Sequence, residues 1–270
     1  MSHNETVKEH DLLAVVASFG VCGDEVAARP WRRGLIHESW TVDAPPERIL
    51  LQRLNGTVFS DPCLMAENAA AAAVRVDGAL RRVGDLDPRH RLVFLAGPEG
   101  RPWYRDELDD VWRASRWIER SRAPAPERPA ELRQAAAALG RFPGLVAGGE
   151  GPEPVMVLPG FHDTRARIAA LRESAGTDRE GRMDECRLEC ERLLDLADLA
   201  DRLTDRGLPT RCVHNDAKLD NVLVDETTGE ALCVVDLDTV MPGLAAHDFG
   251  DLIRSAVSGR AEDEPDLETI

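Results

Sequence analysis

The chain has 270 residues and carries 49 acidic against 33 basic side chains, a formal net charge of −16. A length of this order buries one large core or two medium ones, and so large an acid excess disfavours nucleic acid, whose phosphates it repels. No apolar run reaches the roughly 18 residues of a membrane span, and the N-terminal MSHNETVKEHDLL lacks a signal-peptide core, so the sequence predicts a cytoplasmic protein that does not engage a membrane.

In chain order, short apolar runs rich in strand formers predict strands over residues 40–42, 49–54, 92–95 and 111–118. Between them, residues 62–79 are alanine-rich and helical in character. The run 120–129, RSRAPAPERP, breaks the pattern with proline and charge and is read as a boundary, dividing the chain into 1–119 and 120–270. Beyond it, residues 130–139, 164–172 and 180–206 repeat apolar side chains at helical spacing. The glycines of 148–154, GGEGPEP, lie in a loop and have no strand-turn-helix context that would make them a phosphate cradle. Two apolar runs, 222–224 and 231–235, flank the turn-rich DETTGE and predict a β-hairpin, followed by a helix near 252–258. Six cysteines, at 22, 63, 186, 190, 212 and 233, form no metal pattern; Cys186 and Cys190 share a helical face, and all are read as reduced thiols.

The chemistry concentrates in the last of these segments. His214, Asn215 and Asp216 are followed by Asn221 and then by Val234-Val235-Asp236-Leu237-Asp238. Asp216 and Asn221 stand five apart, the spacing of a kinase catalytic loop in which the Asp takes the acceptor proton and the Asn holds a metal ion. Two acids compete to complete that metal site, Asp236 and the Asp248 of an Asp248-Phe249-Gly250 triplet. If the hairpin folds about Thr228, Asn221 lies opposite Val235, and Asp236 returns beside the loop across a strand spacing of about 5 Å. Asp248 has no such return path, so the triplet is read as having a different job. His214 is expected to brace the loop by hydrogen bonding. Asp238 is open to two roles, a second metal or a brace, and Lys218 to two, neutralising the γ-phosphate or remaining a solvated surface lysine.

The segment from Val213 to Ser255, with these residues in it, resembles the aminoglycoside phosphotransferase and choline kinase superfamily, and within it is most similar to the N-acetylhexosamine 1-kinases. The resemblance implies an α+β, protein-kinase-like two-lobed fold, with a β-rich N-terminal nucleotide-binding lobe and hinge over 1–119 and a mainly helical catalytic lobe over 120–270. It implies ATP and Mg²⁺ as co-substrate and metal, and the anomeric hydroxyl of N-acetylglucosamine or N-acetylgalactosamine as acceptor. By it, Asp216 is the base, Asn221 and Asp236 hold the metal, and Lys218 belongs to the same loop. Weaker likeness places Gly34 in a nucleotide-covering turn, and Gln52 on the strand that carries a phosphate-binding lysine in most kinases. Residues 161–164 resemble a segment of the helical lobe. Trp112-Arg113 and Trp117-Ile118-Glu119 are then expected at the hinge, where backbone groups meet adenine, with core packing as the other reading. Asp251 and Arg254 are expected either to pair with each other or to line the sugar pocket. The relatives continue through further helices that close the acceptor pocket, so residues 1–270 are expected to leave apolar surface uncovered and to be poorly soluble or weakly active. An aminoglycoside kinase, a kinase of choline or homoserine, and a nucleotide-binding pseudokinase are the competing readings.

Overall fold

The computed structural model describes residues 9–32, 34–204 and 206–257. The N-terminal part is built on one antiparallel sheet. Its strands are β1 (Ala27–Trp31), β2 (Glu38–Ala44), β3 (Glu47–Arg53), β4 (Tyr104–Arg105) and β5 (Val111–Arg116), in the order β1-β2-β3-β5-β4. Alternation gives the sheet two faces. Trp40 and Val42, Ile49 and Leu51, and Trp112 and Ala114 form one face, and helix α1 (Glu9–Ser18) covers it with Leu12, Val15 and Val16, joined by Phe19 beyond its end. The sequence reading missed α1, although Leu12, Val15, Val16 and Phe19 have the i, i+3, i+4, i+7 spacing of a helix face. The opposite face carries a polar row, since Ser39 pairs with Gln52 and Gln52 with Arg113 across β2, β3 and β5.

Helix α2 (Pro62–Arg82) crosses beneath that polar face. Asp61 caps it by accepting the Leu64 N–H at 2.9 Å, and Pro62 occupies the first turn, where its missing N–H costs nothing. The alanines that marked it as helical also explain its packing. Ala69, Ala72 and Ala73 let α2 approach Phe142 and Val146 of α3 (Pro129–Gly148) and Leu237 and Val240 of the segment that follows the 222–234 hairpin. Buried Arg75 of α2 donates to the carbonyls of Val146 and Gly151, both at 2.7 Å, and of Ala147 at 3.2 Å, which satisfies the end of α3. The C-terminal part continues through α4 (Thr164–Thr177), α5 (Met183–Asp195) and α6 (Ala200–Thr204) to α7 (Ala245–Val257). Between α6 and α7 lie β7 (Arg211–Val213), β8 (Val222–Asp225), β9 (Ala231–Val234) and β10 (Met241–Gly243); β6 (Ser121–Arg122), β8 and β9 form one sheet, and β7 and β10 another. The architecture is the predicted α+β one, an antiparallel sheet domain followed by a mainly helical part.

Three expectations are corrected. Residues 92–95 do not form a strand: they follow β5 through a single bridge, Phe94 to Ser115, and the bonds from Leu95 N–H to Ala114 and from Arg116 N–H to Val93. The helical periodicity of 180–206 resolves into α5, a short 3₁₀ turn (Ala197–Leu199) and α6, because the chain breaks at Leu196. Trp112 and Arg113 lie within β5 and not at its exit, so neither is a hinge residue. Helix α4 buries no side chain and α5 buries only Cys190, whose sulfur lies 3.8 Å from that of Cys186. On α7, Phe249, Ile253 and Val257 are exposed along one stripe. No described helix is long and apolar enough to cross a membrane.

Two buried carboxylates make the fold acid-sensitive. Glu131 accepts from Arg122 through both oxygens at 2.7 Å and from the Ala125 N–H at 2.9 Å, while Asp225 accepts from the N–H groups of Thr227 and Thr228, both at 2.9 Å, and from Arg89 at 2.6 Å. The Arg122 bond holds Glu131, and the Thr228 N–H holds Asp225, well below the usual carboxylate range. A depressed folded pKa stabilises the protein above the unfolded value of about 4, and that stability is lost as pH falls through the folded value. Calorimetric scans from pH 7 to 2 should therefore show Tm dropping below about pH 4, and Glu131→Gln should lose less Tm over the same interval than the unaltered chain.

Candidate active site

The catalytic-loop candidate begins where β7 ends. Asn215 adopts the left-handed region at φ 64°, which Asn tolerates better than most residues. Its side-chain N–H₂ donates to the carbonyls of Thr239 and Met241, both at 3.1 Å. Asp248, near the start of α7, accepts the N–H of His214 at 3.0 Å and of Asn215 at 2.7 Å. The Asp248-Phe249-Gly250 triplet thus has the different job its position suggests: it clamps the backbone ahead of Asp216. His214 is fully buried, lies against the Phe142 ring and donates from Nε2 to the Val235 carbonyl at 3.0 Å, while the Thr239 hydroxyl donates to the His214 carbonyl at 2.7 Å. From the other side, His162 Nε2 donates to the Asn215 carbonyl at 2.9 Å.

This clamped backbone presents a compact polar cluster. The Asn221 side-chain N–H₂ donates to the Asp216 carbonyl at 2.8 Å and to the Asp216 carboxylate at 3.0 Å, and Lys218 Nζ lies 3.4 Å from the same carboxylate oxygen. With its nitrogen committed to Asp216, Asn221 turns its Oδ1 the other way. The hairpin then closes as its sequence predicts. Val222 pairs with Val234 and Leu223 with Cys233, and the Val235 N–H donates to the Asn221 carbonyl at 2.9 Å, so Asp236 directly follows the residue opposite Asn221.

Electrostatics separate the two acids of the Asp236-Leu237-Asp238 turn. Asp236 sits in the left-handed region at φ 58° with its side chain reached by solvent, yet the protein packed around it and the neighbouring Asp238 charge push its carboxyl above the usual range. Asp238 is buried. Burial alone would raise it, but the Arg113 guanidinium and the His37 hydrogen bond outweigh burial and hold it well below the usual range. Of the two roles open to Asp238, the structure shows the brace. A carboxylate in the position of Asp236 and the Asn221 amide oxygen are hard donors of the kind Mg²⁺ takes, and a divalent cation would relieve the repulsion felt at Asp236. These residues therefore fit the metal the sequence implies.

The remaining expected residues are distributed around this cluster. Gly34, at φ 102°, lies in the connection between β1 and β2. Gln52 donates to the Ser39 hydroxyl at 3.4 Å and accepts from Arg113 Nε at 3.0 Å on the polar face of the sheet. Trp117 immediately follows β5; its N–H donates to the Arg48 carbonyl at 2.9 Å and its ring meets Trp31 edge-on at 5.1 Å. Among the described residues no hydrogen bond joins Gly34 or Trp117 to the Asp216 cluster. Asp251 and Arg254 approach each other at 3.5 Å on α7, and Asp251 is raised by burial and by the Asp216 charge against the opposing pull of Arg254. Sequence reasoning missed Arg113 as a site residue, the imidazole pair of His162 and His247 at 4.2 Å, and the reach of His37 to Asp238. An arginine in an otherwise buried strand was the available signal for the first.

One glycine is required by this packing. A Cβ on Gly243 would collide with Asn215 Oδ1 and lie 2.9 Å from Val213 Cγ2. Gly243→Ala is therefore expected to cost about 1–3 kcal/mol in denaturant unfolding and to lower turnover through the displaced loop; unchanged stability would refute the close approach.

Solved structures similar in fold include a spectinomycin phosphotransferase in complex with ADP and spectinomycin, with a TM-score of 0.54 at 12% identity over 97% of this chain and 82% of that one. An aminoglycoside phosphotransferase from Alicyclobacillus acidocaldarius gives 0.52 at 19% identity over 95% and 73%. A choline/ethanolamine kinase family protein from Mesorhizobium loti gives 0.50 at 17% over 92% and 70%. At these identities the likeness shows the shared fold. The sequence profile of the phosphotransferase enzyme family, APH, matches residues 106–269, more than half of the chain and all of the catalytic-loop and hairpin region, so this protein belongs to the phosphotransferase enzyme family.

Proposed function

We propose that the protein is an ATP- and Mg²⁺-dependent small-molecule kinase whose acceptor is the anomeric hydroxyl of N-acetylglucosamine or N-acetylgalactosamine. The observation that carries the kinase reading is the direct bond from Asn221 to Asp216, with Asp236 returned beside Asn221 by the hairpin. In this reading Asp216 orients the acceptor hydroxyl and takes its proton as the oxygen bonds to the γ-phosphorus and the bond to the ADP oxygen breaks. Asn221 and Asp236 hold the metal ion, which when bound neutralises charge on the nucleotide phosphates. Lys218, beside the Asp216 carboxylate, is placed to meet the γ-phosphate. The nucleotide lies between the two lobes, which we assign to 1–119 and 120–270, beneath the turn carrying Gly34, with Gln52 on the sheet face and Trp117 at the connection. Asp251 and Arg254 serve the acceptor side.

The amino-sugar assignment rests on the sequence resemblance of the 213–255 segment. A second reading, a cationic aminoglycoside acceptor, is favoured by Asp251, whose carboxyl is raised by burial and by the Asp216 charge, a repulsion that a cationic group would relieve. The test is ADP release with Mg²⁺ and ATP over N-acetylglucosamine, N-acetylgalactosamine, kanamycin, spectinomycin, choline and homoserine. Turnover of an N-acetylhexosamine supports the first reading. Turnover confined to an aminoglycoside replaces it with the second, and ADP binding without turnover of any acceptor points to a nucleotide-binding module.

A further inference from the structure

Kinases of this architecture hold their two lobes in register through a lysine on the third strand paired with an acid on the following helix. In this chain no lysine stands on β3, and no bond joins Glu67 of α2 to that strand among the described residues. The third strand offers Gln52, and Glu67 of α2 instead accepts from the Trp103 indole at 3.0 Å. The charge that enters the space between the sheet and the metal loop comes from β5. Arg113 is 3% exposed; it makes a two-pronged pair with the Asp238 carboxylate, 2.9 Å on the Nη2 side, while its Nε donates to Gln52 at 3.0 Å. Its Nη1 lies 3.6 Å from Met65 Sδ on α2, and the guanidinium stacks over the Phe94 ring at 5.3 Å. One side chain thus touches β3, α2 and the turn that contains Asp236.

His37 completes the arrangement. Its Nδ1 accepts the Asn55 N–H at 3.0 Å, which leaves the proton of the neutral ring on Nε2, where it donates to Asp238 at 2.7 Å. The ring also stacks on Phe59. His37 lies in the connection between β1 and β2, so the turn proposed to cover the nucleotide is bonded directly to the turn that follows the catalytic hairpin. Both Asp238 oxygens are occupied, one by Arg113 and the other by Arg113 and His37.

We infer that Arg113 is a positioning residue that, with His37, uses Asp238 as a handle to fix Asp236 against the N-terminal sheet. It takes the place of the lysine-acid pair and leaves Asp236 and Asn221 to form a single metal site without Asp238. This rests on the kinase reading above. A buried arginine-carboxylate pair also contributes to folding, so the test separates positioning from stability. Two variants serve, Arg113→Lys, which keeps the charge but loses the planar fork and the Gln52 contact, and the charge-free double variant Arg113→Met with Asp238→Leu, since apolar replacement of a whole buried pair is often tolerated. For each, Tm, kcat and KM would be measured, together with ADP affinity by calorimetry with and without Mg²⁺.

Positioning predicts a folded Arg113→Lys protein whose Mg²⁺-dependent gain in ADP affinity and whose kcat each fall about 10- to 100-fold, the scale seen when a residue supporting a metal ligand is lost. ADP affinity without Mg²⁺ should change less than about threefold, because Arg113 is not assigned to the nucleotide. The double variant should show the same losses even where its Tm matches the unaltered chain. A folded Arg113→Lys protein with the original Mg²⁺ dependence and kcat overturns the inference while leaving the kinase reading intact, and so does a stable double variant with both unchanged. Failure of the unaltered chain to bind ADP overturns the kinase reading and this inference with it.

Discussion

Asp216→Ala is expected to lower kcat by about 10²- to 10⁴-fold, the range that a positioned general base contributes, while ADP affinity stays within about threefold of the original. The asymmetry follows from geometry. The Asp216 carboxylate is bonded to Asn221 and lies beside Lys218, at the head of a loop whose backbone is held by Asp248, His162 and Asn215 and so survives the truncation. Asp216→Asn refines the test. Its amide oxygen can still accept the Asn221 N–H₂, so the local shape is kept, but the group cannot take a proton at neutral pH. If Asp216→Asn retains more than about a tenth of the original kcat, well above what loss of a general base leaves, Asp216 is not the base. Calorimetric titration of ADP on the same samples separates loss of chemistry from loss of the fold.

Asp236→Asn is expected to move stability and activity in opposite directions. The protein packed around Asp236 and the Asp238 charge raise its carboxyl above the ordinary value, although solvent reaches the side chain. A raised carboxyl pKa means the folded state binds a proton more readily than the unfolded one, so the ionised side chain at neutral pH works against folding, and the penalty fades as pH falls through the raised value. Because solvent reaches this side chain and screens part of the repulsion, removing the charge in metal-free protein should raise Tm only slightly. Turnover should fall by about 100-fold or more, since metal ligation accounts for several kcal/mol of barrier lowering. Added Mg²⁺ should raise the Tm of the original chain in the presence of ADP and leave that of the variant nearly unmoved. A variant less stable than the parent without metal would show that the Asp236 carboxylate is held by partners and not strained by its neighbours.

What could be read from the sequence was what is local in it. Asp216 and Asn221 lie within one short loop, and the run from Val222 to Val235 carries its own turn chemistry, so the hairpin and the register of Val235 opposite Asn221 followed from strand geometry alone. The alanine-rich stretch of α2 was legible because its periodicity is complete within one element. The links that join distant segments were not legible. Arg113 and Asp238 are 125 residues apart and His37 and Asp238 are 201 apart, and nothing in the spacing of either pair distinguishes a buried bridge from two surface charges. The sequence offered Asp248 no return path to the loop, but its bonds to His214 and Asn215 depend on how α7 docks against β7, which no local pattern encodes. The strand expected over 92–95 failed because a run of apolar residues reports burial, and here burial is met by packing beside β5 without a regular ladder.

The bonds from Asp248 to the His214 and Asn215 amides make α7 and the loop before Asp216 one mechanical piece. Asp251 and Arg254, proposed above to serve the acceptor side, ride on the same helix, within its next two turns. A substitution that tilts α7 to admit a bulkier or differently charged acceptor would drag the loop carrying the proposed base with it. Changes of acceptor preference along this helix should therefore seldom be neutral for rate, and laboratory selection for new acceptors should find its tolerated substitutions on side chains around the helix before any that shift its axis.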